Sequence, residues 1–125
     1  MAIVVDTSVL IDHLRGDARA RAALRGATES GERLVASVLT KVEVLAGMRA
    51  SEERATRRLF DSLDWLAVDD ELAERAGALA NRYLLSHPGV DPDYIIAATV
   101  ERTGAGLWTR NLRHVPMFPE LQAPY

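Results

Sequence analysis

The chain has 125 residues, enough for a single domain, expected to span 1–125, around one core of moderate size. Its net charge of −3 excludes a globally basic nucleic-acid binder but not a local basic surface, and of its 15 basic residues all except Lys41 are Arg. The absence of Cys excludes disulfides, zinc–thiolate sites and thiol nucleophiles; with no signal-peptide pattern and no apolar run near the roughly 18 residues of a membrane span, a soluble, cytoplasmic protein without a membrane partner is expected.

Ala2-Ile3-Val4-Val5 is a short, continuously apolar run, the pattern of a strand buried on both faces of a parallel sheet. It runs into Asp6, an acid that such a strand does not explain. Open α/β sheets bind ligands at the carboxyl ends of their strands, so Asp6 reads as a site residue or as a turn or cap carboxylate. Thr7 or Ser8 can cap a short helix from Val9 to Leu14. Asp17 can cap a second helix, Ala18 to Ala27, and Leu34-Val35-Ala36 is the next strand. Ser37 starts a helix carrying Val38, Leu39, Val42, Leu45 and Met48 at spacings of about 3.6, with Gly47 in its last turns. A charged helix follows from Glu52 to Leu63, with Ser51 as its cap and Leu59, Phe60 and Leu63 facing inward.

Trp65 to Val68 is a third apolar strand. Asp69 or Asp70 caps a helix to about Leu85, with Leu72, Ala76, Leu79, Ala80 and Tyr83 on one face, and His87-Pro88-Gly89 ends it. Asp91-Pro92 reads as cap plus first-turn proline of an apolar helix that stops by Gly104. Gly106 to Thr109 is a fourth strand. Residues 110–125 hold three prolines and little periodicity, with a final short strand expected around Met117-Phe118. Strands and helices alternate, and the connections are long enough for parallel crossovers. The fold class is therefore α/β, a small central parallel sheet of about four to five strands with helices on both faces.

Four places put a polar side chain where the apolar pattern does not explain it: Asp6, Glu43, Asp91-Pro92-Asp93 and Thr109-Arg110-Asn111. Each has a plainer reading. Glu43 completes a capping box with Thr40, Asp91 is a natural cap, Asp93 suits the first helical turn, and Thr109 with Asn111 can form a turn. Together they point elsewhere. Asp6 and Asn111 follow two strands and Asp93 opens a helix, so one sheet edge could collect Asp6, Asp93 and, if its helix packs there, Glu43. Three carboxylates in one cleft repel unless a cation neutralises them. Oxygen donors without a His or Cys cluster suit Mg²⁺ or Mn²⁺. Such an ion can activate water and orient a phosphodiester. His13 and His87 read as surface residues; His114 alone lies close in sequence to one of the four places.

These stretches resemble a known family. Val4-Val5-Asp6-Thr7-Ser8-Val9-Leu10-Ile11-Asp12 is similar to the first motif of PIN-domain ribonucleases, especially the VapC-type toxins of bacterial toxin–antitoxin pairs. Residues 37–47, with Glu43 as the acid, resemble the second motif, Asp93 to Thr99 the third, and Leu107 to His114 the fourth. All four occur in the family's order over nearly the whole chain. The resemblance implies a Mg²⁺- or Mn²⁺-dependent endoribonuclease, a homodimer inhibited by a cognate VapB-type antitoxin. It implies metal ligation by Asp6 and Asp93, with Glu43 on the metal or on water, and support from Thr7 or Ser8 and Thr109. Asn111 takes the place of a fourth polar residue that is often Asp. Being neutral, with His114 where some relatives carry an acid, it favours one metal over two. Arg110 and Arg113 flank the fourth motif as RNA phosphate contacts.

A haloacid-dehalogenase-type phosphatase would place an acid where Ser8 stands, and a receiver domain would need a Lys late in the chain, where there is none. The alternative that stands is a catalytically inactive PIN-like module that binds RNA or a partner without cutting.

Overall fold

The computed structural model describes residues 1–83, 85–86 and 91–125. Four strands, β1 (Ala2–Val5), β2 (Arg33–Ser37), β3 (Asp64–Leu66) and β4 (Gly106–Trp108), form one parallel sheet in the order β3-β2-β1-β4. Val4 pairs with Val35 on one side and Leu107 on the other. Six helices connect them: α1 (Thr7–Leu14), α2 (Ala18–Glu29), α3 (Val38–Ala46), α4 (Glu53–Asp61), α5 (Asp70–Tyr83) and α6 (Asp91–Thr103).

The strand pleat explains why β1 is apolar throughout. Val5 faces a core with Val9, Leu10, Leu24, Leu59 and Phe60, from α1, α2 and α4. Val4, next along the strand, faces the opposite core with Ile96 and Val100 of α6 and Leu107 of β4. Leu72, Ala76 and Leu79 of α5 close over α6 on that side. Helices thus cover both faces of the sheet, and both valines are fully buried.

Several boundaries differ from the sequence expectation for local reasons. Asp6, not Thr7 or Ser8, caps α1: its Oδ1 accepts the Thr7 N–H at 2.8 Å. At α5 the expectation holds: of the two expected caps Asp69 serves, accepting the Leu72 N–H at 2.8 Å. Ser51 is not the cap of α4; a 3₁₀ turn over Ala50–Glu52 precedes that helix, and Glu52 accepts the Arg49 N–H instead. Asp91 lies inside α6. The expected end of α5 at His87-Pro88-Gly89 lies outside the described residues. No strand forms at Met117-Phe118, so the sheet has four strands. Pro116 and Pro119 bracket the pair and lack the N–H that a ladder needs. Met117 and Phe118 instead pack beside α6.

His13 is half-buried rather than a surface residue, and burial, then the Arg21 guanidinium, push its imidazole below the ordinary value. The folded state prefers neutral His13. Its contribution to stability is therefore complete above the ordinary histidine pKa of about 6.5 and is lost as pH falls through the lower folded value. His13→Gln should flatten the fall in urea midpoint between about pH 7.5 and pH 5; an unchanged fall would assign it to other groups.

Candidate active site

The chain winds β1, β2 and β3 outward in one direction and then returns to place β4 on the other side of β1. The order reverses between β1 and β4. At such a point the flanking helices leave on opposite faces and a crevice opens beyond the carboxyl ends of the strands. Asp6 follows β1 and Thr109 follows β4, so these two residues stand side by side at that edge of the sheet. The Asp6 N–H donates to Trp108 O at 2.9 Å, continuing the ladder one step past β1.

Asp6 is 7% exposed, and its carboxylate is held from several sides. Besides the Thr7 N–H on Oδ1, its Oδ2 accepts the Thr109 hydroxyl at 2.7 Å and the Ser8 hydroxyl at 3.2 Å. Thr109 Oγ1 in turn accepts the Asn111 N–H at 3.0 Å, and Ser8 Oγ accepts the Arg110 N–H at 3.1 Å. The loop after β4 is therefore fastened to the start of α1 by two hydroxyls. The Thr7 hydroxyl donates to Glu43 Oε1 at 2.7 Å, which brings the α3 acid to the same edge. Glu43 makes no capping box: Ser37 caps α3, accepting the Leu39 N–H, and Thr40 is already in the helix, fully buried.

Asp93 enters from the other face of β1, in the first turn of α6. Its side chain is 12% exposed, and Oδ2 lies 3.3 Å from Nδ1 of His114, in the 3₁₀ turn Leu112–His114. Sequence reasoning missed this pairing; the position of His114 within the fourth motif was the available signal. Two of the three acids, Asp6 and Glu43, are thus joined through Thr7, while Asp93 is turned to His114. Among the described residues no three Asp, Glu or His side chains are gathered closely enough to enclose a metal ion.

The donor set nonetheless fits a hard cation. Among the described residues Asp6 and Glu43 form no ion pair; hydroxyls and a backbone N–H orient them while leaving their charge uncompensated. Paired buried charges are normally compensated, so two buried or half-buried acids held only by neutral donors suit an added cation.

The remaining expected residues take different places. Asn111 is exposed and engages Thr109 through its backbone N–H. Arg113 is exposed, with no ion pair among the described residues. Arg110 pairs with Asp12 at 3.0 Å.

The model of the PIN domain family matches residues 3–116. Ribonuclease VapC19 of Mycobacterium tuberculosis is 45% identical over 123 residues, covering 98% of both chains. Ribonuclease VapC10 of the same organism is 40% identical over 124 residues, covering 98% of this chain and 92% of that one. Among solved structures, a toxin–antitoxin complex from Klebsiella pneumoniae aligns with a TM-score of 0.82 at 30% identity, over 98% of each chain. The sheet order, the four motifs at one edge and these full-length likenesses agree: the chain belongs to the PIN-domain family, in its VapC branch.

Proposed function

We propose that this chain, acting as one domain, is a metal-dependent endoribonuclease, the toxin of a toxin–antitoxin pair, held inactive by a VapB-type antitoxin. The observation that carries the reading is the pair of uncompensated acids, Asp6 and Glu43, joined through Thr7 at the reversal point of the sheet. VapC ribonucleases are generally divalent-metal dependent. Asp6 and Asp93 are the proposed ligands of Mg²⁺ or Mn²⁺, and Glu43 ligates it or orients water. Bound there, the ion would lower the pKa of a water and stabilise charge on the phosphate.

The protein's own side chains supply the order. Thr109 and Ser8 fix the Asp6 carboxylate, and Thr7 fixes Glu43. His114 orients Asp93. Arg113 offers an exposed fork to a backbone phosphate, and Arg110 a second; Asn111 adds a neutral donor at the rim. The nucleophile is water, attacking in line to leave 5′-phosphate and 3′-hydroxyl ends. Val42 is 63% exposed and Val38 36% exposed on α3, an apolar surface that supports the proposed homodimer. Among the described residues no helix is long and apolar enough to cross a membrane. Cellular RNA as substrate would place the protein in the cytoplasm.

The test is sequencing of cellular RNA 5′ ends after brief expression of wild type and Asp6→Ala, joined to cleavage by purified protein with and without EDTA. New ends from wild type alone, cleavage stopped by EDTA and restored by Mg²⁺ or Mn²⁺, are expected. Cleavage insensitive to EDTA would overturn the metal assignment, and full activity in Asp93→Asn would remove Asp93 from the site.

A further inference from the structure

We propose that Tyr125 and Asp12 are positioning residues for RNA binding, holding the Arg110 guanidinium at the rim of the Asp6 site ready to receive a phosphate. The inference rests on the reading of that site as one that binds RNA.

Arg110 is fixed at both of its ends by one face of α1. Its backbone N–H donates to Ser8 Oγ at 3.1 Å, and Ser8 donates to Asp6. Its Nη1 donates to Asp12 Oδ2 at 3.0 Å. Ser8 and Asp12 stand four residues apart, so they lie one above the other on the helix. Asp12 Oδ2 also accepts the Tyr125 hydroxyl at 2.6 Å. The guanidinium lies over the Tyr125 ring, 4.9 Å from its centroid. The ring supports the guanidinium from one side, and Asp12 holds it through Nη1.

An arginine carries five N–H donors. The Asp12 bond leaves donors over, and the side chain is 38% exposed. A phosphate can therefore be taken without breaking the clamp. Arg side chains are among the most mobile, and ordering one before binding removes that penalty from association. Burial, then the bond to Asp12, push the Tyr125 hydroxyl up to about 12, so it remains a proton donor throughout the neutral range. The Tyr125 side chain is uncharged in that range. Removing it disturbs the order of Arg110 without changing the charge that RNA meets.

The test measures affinity of the full chain for labelled single-stranded RNA in EDTA, against salt. Wild type, Tyr125→Ala, Tyr125→Phe, Arg110→Ala and the doubles with Arg110→Ala are compared. Arg110→Ala should weaken binding about tenfold and reduce the salt slope by about 0.7, the share of one phosphate on a single strand. Tyr125→Ala should weaken it about threefold, and Tyr125→Phe, which keeps the ring, by less. In the Arg110→Ala background neither Tyr125 substitution should cost further affinity, an outcome that a general loss of packing would not give. Additive losses would overturn the positioning role while leaving the RNA reading intact. A wild-type chain that neither binds nor cuts RNA would overturn the reading beneath it.

Discussion

Asp6→Asn should reduce single-turnover RNA cleavage by at least about 10³-fold while leaving the protein folded. The two effects separate because Asp6 caps α1 and is also the proposed site acid. As the cap of α1 its Oδ1 accepts the Thr7 N–H at 2.8 Å, and Asn caps as well as Asp. As the proposed site acid it would supply a negative charge, which Asn removes. The amide nitrogen also cannot accept from Thr109 or Ser8, although both hydroxyls can rotate to accept instead. A change in melting temperature of no more than a few degrees is expected beside the large kinetic loss. Cleavage and thermal unfolding measured on the same preparation check it; near-wild-type cleavage would remove Asp6 from the chemistry.

The second large effect is expected at Thr109, which is buried behind Asp6. Thr109→Val keeps the shape of a side chain that is 2% exposed. It strips the 2.7 Å donor from Asp6 Oδ2 and the acceptor from the Asn111 N–H. An unsatisfied polar group of this kind costs about 1–3 kcal/mol, and loss of an orienting hydrogen bond on a metal-binding carboxylate lowers activity by about 10–100-fold. Thr109→Ser should recover most of both. Urea unfolding and cleavage rates for the Val and Ser variants decide the matter. Equal rates in the two would show that Asp6 does not depend on this bond.

The periodicity of the chain was informative wherever burial is two-sided or helical. β1 reads as a fully buried strand because Val4 and Val5 each meet a different core. The inward faces of α4 and α5 follow from the spacing of Leu59 and Phe60, and of Leu72, Ala76 and Leu79, whereas Leu63, expected at the end of the same helix as Leu59, is buried just beyond it. The same reasoning failed at Met117-Phe118, where two large apolar residues fill a gap between elements instead of forming one. It was incomplete on α3. Val38 and Val42 share the helical spacing of the buried residues yet are exposed, while Thr40 is buried. Hydrophobic spacing marks a face that prefers contact, and says nothing about which contact is made within the fold.

The site divides along the same line. The sequence by itself determined the α/β class and gave the expectation that Asp6, Glu43 and Asp93 serve a hard cation, because both rest on local pattern and residue chemistry. The tertiary structure decided which hydroxyl serves which acid. Thr109 reaches Asp6 across 103 positions, Thr7 reaches Glu43 across 36, and Tyr125 reaches Asp12 across 113. No periodicity encodes such contacts. They exist because β1 lies between β4 and β2, which sets the start of α1 against the loop after β4 on one side and against α3 on the other, and a hydrogen bond forms only where the fold brings donor and acceptor within about 3 Å.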